Sequence, residues 1–214
     1  MFDEIRKLVE SYNGENDFIS LNLALKNLLG SIISDNEILS EIASNSYRHQ
    51  LGFEKYNLYT FSDGFSLRLH YWHKPEYFKE DIHSHCADFK SIVIKGSLIN
   101  NIFILKVGET NKIFSYHFDE NKKISVANDQ GKSGFELKEK KLLLTSDTYF
   151  QSNRLLHRIN EVCENTITLS LWNNRDSSAL VLKNLNSTPD DCNCTSKFKM
   201  SEVIEKFNFI IRYI

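Results

Sequence analysis

Apolar residues recur at helical spacing through the first fifty positions and at a spacing of two beyond them. Phe2, Ile5, Leu8, Val9 and Tyr12 make one helical stripe, and Phe18, Leu21, Leu25, Leu28, Leu29, Ile32 and Ile33 a second. Ser34 and Glu37 form a capping-box pattern ahead of Ile38, Leu39 and Ile42, which predicts the start of a third helix. From about residue 53 the pattern alternates. Ser66–His73 sets Leu67, Leu69 and Tyr71 against Arg68, His70 and Trp72. Further strands are expected over 90–97, 99–107, 112–118, 122–127, 134–144, 154–159, 165–172 and 178–184. Turn signals separate most of them: Ser62-Asp63-Gly64, Gly108, Asp119–Asn121, Asn128–Gly131 and Asn173–Asp176. Val203, Phe207, Ile210 and Ile214 predict a closing helix over Ser201–Ile214.

Many short strands in succession predict an antiparallel sandwich or barrel. The expected division is a helical segment over 1–52 packed on a barrel over 53–185, then a linker and a C-terminal helix over 186–214. The polar stretch 186–199, with Pro189, Cys192 and Cys194, is the linker candidate.

Composition narrows the partners. The 214 residues are 41% hydrophobic and 12% aromatic, enough for a sizeable core. Twenty-six basic and 28 acidic side chains leave a net charge of −2, mixed along the chain with no basic run. That points away from nucleic acid and from an anionic membrane surface as partners. No apolar run reaches the length of a membrane span, and Met-Phe-Asp-Glu-Ile-Arg lacks the basic start of a signal peptide, so a cytoplasmic location is expected. Four cysteines suggest no disulfide framework, and Cys192 and Cys194 read as ordinary thiols. Nothing in the sequence sets an oligomeric state.

The chemistry gathers on histidine. In Ile82-His83-Ser84-His85 two imidazoles stand two apart where a strand begins, which turns them to one face and lets them bind one metal from one side. Taken alone, the pair also reads as two surface histidines. Gly96 follows His83 by thirteen residues, after the strand Lys90–Lys95. The run resembles the first motif of the cupins, with Phe89 standing at that motif's glutamate. Ser146-Asp147 stands where the second motif has Gly-Asp, Ser152 and Arg154 replace its proline and glycine, and His157 takes the place of its last histidine. Asp88 has odd spacing from the histidines and turns to their face only through a bulge. His70, His73 and His117 read as structural or exposed.

Within the cupins the resemblance narrows to the cysteine-dioxygenase branch, the thiol dioxygenases. It rests on Phe65-Ser66-Leu67 with Trp72 downstream, Ile82-His83-Ser84-His85, Gly96-Ser97-Leu98, His157-Arg158-Ile159, Thr168-Leu169-Ser170-Leu171 and the Lys55–Leu58 segment, and spans roughly residues 35–175. It implies a mainly β fold, a cupin (double-stranded β-helix or jelly-roll) barrel with a helical N-terminal segment and a short C-terminal helix. It also implies ferrous iron on His83, His85 and His157, and transfer of dioxygen to the sulfur of a small thiol. Imidazole ligands also suit other first-row divalent metals.

The chain departs from that family around the iron. Its substrate-carboxylate arginine aligns near Lys55 or Tyr56, and its Ser-His-Tyr outer shell falls on Thr168, Ser170 and Trp172. Tyr149, Arg154, Ser170 and Trp172 are therefore the candidate catalytic residues, and Lys55, Tyr56, Arg68 and Thr168 the candidate substrate contacts. Three functions fit: an iron-dependent oxygenase acting on a small thiol or amino-acid-like molecule, a cupin that binds or senses a ligand without turnover, and a metal-dependent isomerase or lyase.

Overall fold

The computed structural model describes residues 1–49, 52–73, 80–119, 124–173, 179–189 and 196–214. Cys192, Cys194 and the side chain of His117 lie outside the described residues. So do part of the turns expected at Asp119–Asn121 and Asn173–Asp176, the first residues of the strands expected over 122–127 and 178–184, and the middle of the linker expected over 186–199.

Three helices open the chain: α1 (Phe2–Ser11), α2 (Glu15–Ser34) and α3 (Asn36–Asn45). Strands β1 (Tyr47–Arg48), β2 (Glu54–Thr60), β3 (Ser66–Trp72), β4 (Ile82–His83) and β5 (Phe89–Lys95) follow. The long β6 (Ser97–Asp119) and β7 (Ile124–Leu144) come next, then β8 (Thr148–Gln151), β9 (Leu156–Asn160), β10 (Thr166–Trp172), β11 (Ala179–Lys183) and β12 (Ser196–Lys197), and α4 (Met200–Tyr213) closes the chain. The third helix is capped one residue later than its capping-box pattern suggests. Asp35 accepts from the Glu37 and Ile38 N–H groups at 3.0 and 3.1 Å, while Ser34 ends α2 with its hydroxyl on the Gly30 carbonyl.

The strands form two antiparallel sheets, in the orders β12-β1-β2-β3-β10-β5-β8 and β11-β4-β9-β6-β7. The fold is thus mainly β with flanking helices, as expected. In the first sheet the alternation has two jobs. Leu67, Leu69 and Tyr71 of β3, with Ile167, Leu169 and Leu171 of β10, join the helices in one large core. The alternate residues face the other way, where Trp72, Phe89, Tyr149 and Trp172 meet Leu98, Leu143 and Ile159 of the second sheet. Every residue of β3 and β10 is consequently buried, one set beneath the helices and the other between the sheets.

Gly96 is the single residue between β5 in one sheet and β6 in the other. Its φ is +86°, and a Cβ there would lie 2.4 Å from the Thr166 hydroxyl and 3.0 Å from the Thr166 Cα. Two expected turns are not turns. Gly108 and Asn128–Gly131 lie inside β6 and β7, where the pairing shifts register between Lys106 and Asn111 and between Lys112 and Phe114. Glycine and asparagine mark irregularities here rather than reversals, because a bulge needs the same unusual backbone as a turn. β6 also bends back to pair with β11 over Lys112–Tyr116, so the second sheet closes on itself around Ile82, Phe103, Ile113, Leu156 and Leu182.

Candidate metal centre

β4 is only two residues long and sits between β11 and β9. Ser84 extends its hold on β11: its N–H donates to the Leu180 carbonyl at 2.8 Å, and its hydroxyl accepts from the Leu180 N–H at 2.9 Å. With Ser84 tied outward, His83 and His85 turn to the other side. There His83 faces His157, its register partner on β9. The ligand nitrogens of the three histidines lie within 4.8 Å of one another, the only such group of three or more His, Cys, Asp or Glu among the described residues.

Two hydrogen bonds fix which nitrogen is free. The Nδ1–H of His83 donates to the Asp81 carbonyl, and that of His157 to Asn100 Oδ1, both at 2.9 Å. Each leaves Nε2 with a bare lone pair. His85 Nε2 approaches His157 Nε2 to 2.7 Å. Two lone pairs tolerate that separation only with a proton or a cation between them. Burial pulls all three imidazoles below the usual histidine range, and for His85 the charges of His83, His157, Lys55 and Arg68 add to the effect. Neutral, pre-oriented imidazoles fit a first-row divalent metal, held by His83, His85 and His157. The donor set contains no carboxylate. Phe89, where the sequence resemblance expects a glutamate, instead places a ring 5.0 Å from that of His85. Asp88 is turned away and caps a loop, accepting from the Asn153 N–H at 2.7 Å.

The other candidates divide by strand face. Lys55, Arg68, Thr168, Ser170, Trp172 and Tyr149 all line the space between the sheets or its rim. Arg68 is buried and lies 4.0 Å above the centre of the Trp172 ring. Lys55 Nζ is 5.8 Å from that ring and donates to the Tyr47 hydroxyl at 3.0 Å. Thr168 Oγ1 is 3.4 Å from His70 Nδ1. The Ser170 hydroxyl donates to Ser91 at 2.9 Å, and Ser91 also bonds the Tyr149 phenol.

Two candidates lie elsewhere. Tyr56 is fully buried on the helix side of β2, stacked with Phe198, and donates to Glu54 at 2.8 Å. Period two sends Lys55 inward and therefore Tyr56 outward. Arg154 is exposed in the turn before β9. His73 is exposed beside Glu54, whereas His70 is buried in the barrel among Phe53, Trp72 and Trp172.

Sequence reasoning missed Asn100, Ser91 and Glu80. The Glu80 carboxylate accepts from the Ile159 N–H at 2.5 Å, and burial raises its pKa to about 8. A carboxyl whose folded pKa lies above its unfolded value of 4.5 gives stability that is fully present below pH 4.5 and lost as pH rises through about 8. Glu80→Gln mimics the protonated acid. Its chemical-denaturation stability relative to wild type should rise between pH 5 and 9, reaching on the order of a few kcal/mol at the alkaline end. A difference independent of pH would mean that Glu80 is charged in the folded protein.

No protein-family model matches the chain, and no curated protein matches it. Among solved structures it is similar to an RmlC-like cupin from Shewanella frigidimarina, at 14% identity over 59% of this chain and 80% of that one, with a TM-score of 0.34. It is similar to KdgF from Halomonas sp. at 11% identity over 61% of this chain and 88% of that one, TM-score 0.36. A recombinant oxalate oxidase in complex with glycolate gives 13% identity over 61% and 55%, TM-score 0.37. The chemistry is read from the histidines themselves.

Proposed function

We propose that the chain is a non-haem metal-dependent oxygenase of thiol-dioxygenase type, with iron as the metal, a small thiol or amino-acid-like molecule as substrate and dioxygen as co-substrate. The observation that carries the reading is the group of three neutral histidines with no carboxylate, two of them locked by Nδ1–H donation so that Nε2 is free. Ferrous iron there would supply open coordination positions and the redox capacity to activate dioxygen. Because no ligand carboxylate offsets the charge of such an ion, the centre favours an anionic substrate.

The chain's own groups orient the reactants and exclude water. Phe89, Trp72 and Trp172 wall the space with rings. Asn100 holds His157 and donates its own amide to Gln151 at 3.4 Å. The hydroxyls of Tyr149, Ser91 and Ser170 form a buried chain beside the rings, able to hold a proton or pass it along.

The test is oxygen uptake by ferrous-loaded protein across a panel of small thiols. We expect uptake with stoichiometric sulfinate for at least one thiol, and poor saturation by free cysteine because no arginine fork stands at Lys55 or Tyr56. Saturation by cysteine below 1 mM would mean that its carboxylate is held by other groups. Absence of uptake across the panel, with tight ligand binding, would favour a binding or sensing module.

A further inference from the structure

The Trp172 indole is the meeting point of the interior. Phe89 stacks on it at 4.2 Å and 18°, and the Arg68 guanidinium lies 4.0 Å from its ring centre, so the two cover opposite faces. His85 meets it at 87°, with ring centres 4.9 Å apart. The side chain is about 95% buried, and its Nε1–H has no hydrogen-bond partner. An orphan donor in a barrel interior is destabilising unless something accepts from it. It lies on a wall that also carries the charge of Arg68, with Lys55 Nζ 5.8 Å from the same ring.

We propose that Arg68 and the Trp172 Nε1–H form an anion subsite that binds the carboxylate of the substrate. The proposal deepens the oxygenase reading and rests on it for the neighbouring metal. A donor that is planar, buried and fixed by stacking on one side, beside a guanidinium on the other, suits a planar carboxylate. The subsite would select substrates by charge, at a place on the wall different from the positions where the thiol-dioxygenase resemblance puts its arginine.

The chain has two tryptophans, so the indole N–H region of a nitrogen-15 spectrum holds two side-chain signals, and Trp72→Phe assigns them. Zinc-loaded protein is titrated with mercaptoalkanoates of two to five carbons and with the mercaptoalcohols of equal length. The expected result is binding at least tenfold tighter for a mercaptoalkanoate than for its alcohol, with a saturable shift of the Trp172 signal. Arg68→Met should erase that preference without lowering zinc content, and Trp172→Phe, which keeps a ring but removes the donor, should reduce it several-fold. Equal affinities at every length, or a stationary Trp172 signal at saturation, would overturn the subsite and leave ordered water as the partner of Nε1. The same titration with butyrate on metal-free protein separates the two readings. A Trp172 shift there, in a protein that takes up no zinc, keeps the subsite and discards the metal centre.

Discussion

Replacing His157 with alanine will strip the chain of its metal. Wild-type protein should carry about one first-row divalent ion per chain, as one imidazole cluster binds one ion. His157→Ala should fall below a tenth of that by elemental analysis. The reason is geometric: His157 Nε2 stands 2.7 Å from that of His85, and His157 faces His83 across the β4–β9 ladder, so its loss leaves two ligands on one short strand segment. His83→Ala and His85→Ala should behave alike. An ion present at a hundred times its dissociation constant stabilises the folded chain by about 2.7 kcal/mol. The variants should therefore melt roughly 5–10 °C below metal-loaded wild type, a gap that closes when both are stripped of metal. Asn100→Ala should act more gently, because it releases the ring without removing the ligand; affinity should drop about 10- to 100-fold. Asn100→Asp keeps an acceptor for the Nδ1–H and should recover most of the loss. Full metal content in His157→Ala would show that the ion sits elsewhere.

The second large effect is structural. Gly96→Ala should destabilise the fold by about 2–5 kcal/mol, the sum expected from a side chain in the left-handed region and from overpacking. The chain changes sheets at this one residue, and the Thr166 backbone stands 3.0 Å from where the new carbon would go. Thr166 has no easy way to yield, since its hydroxyl donates to the Cys163 carbonyl at 2.7 Å and accepts from the Ser97 N–H at 3.3 Å. Adding Thr166→Ala removes the 2.4 Å clash but neither the 3.0 Å one nor the strained φ, so the double variant should regain only part of the loss. The midpoint of urea unfolding measures this. A midpoint unchanged in Gly96→Ala would mean that the corner is looser than its packing indicates.

The positions that a strong local rule governs were legible in the sequence. The alternation of Leu67, Leu69 and Tyr71 with Arg68, His70 and Trp72 marks both faces of β3, and the His83–His85 spacing puts two rings on one side. The short β1, β8 and β12 were not read as strands. Two to four residues carry too little periodicity, and their pairing comes from distant partners such as Phe89 opposite Gln151. β6 and β7 were read as four strands because their bulges carry turn residues. The groups around the histidines were the least legible. Asn100 and Ser91 lie on strands remote from the motif, and a single amide or hydroxyl within a β pattern carries no signal of what it will touch. Ser146, which replaces the glycine of the second motif, retains the backbone that glycine would favour, with a φ of +74°.

The double burial of β3 and β10 bears on how such a barrel can change its chemistry. A slip of one residue in either strand would drive Arg68, His70 and Thr168 under the helices and Leu67 and Leu169 into the space between the sheets. The helical layer thus works as a proofreader, rejecting every register but one by the cost of burying charge in its core. The inward residues are released from that duty. They can be exchanged for others of similar volume while the outward ones keep the address, so the lining of this interior can change without the chain relearning how to fold.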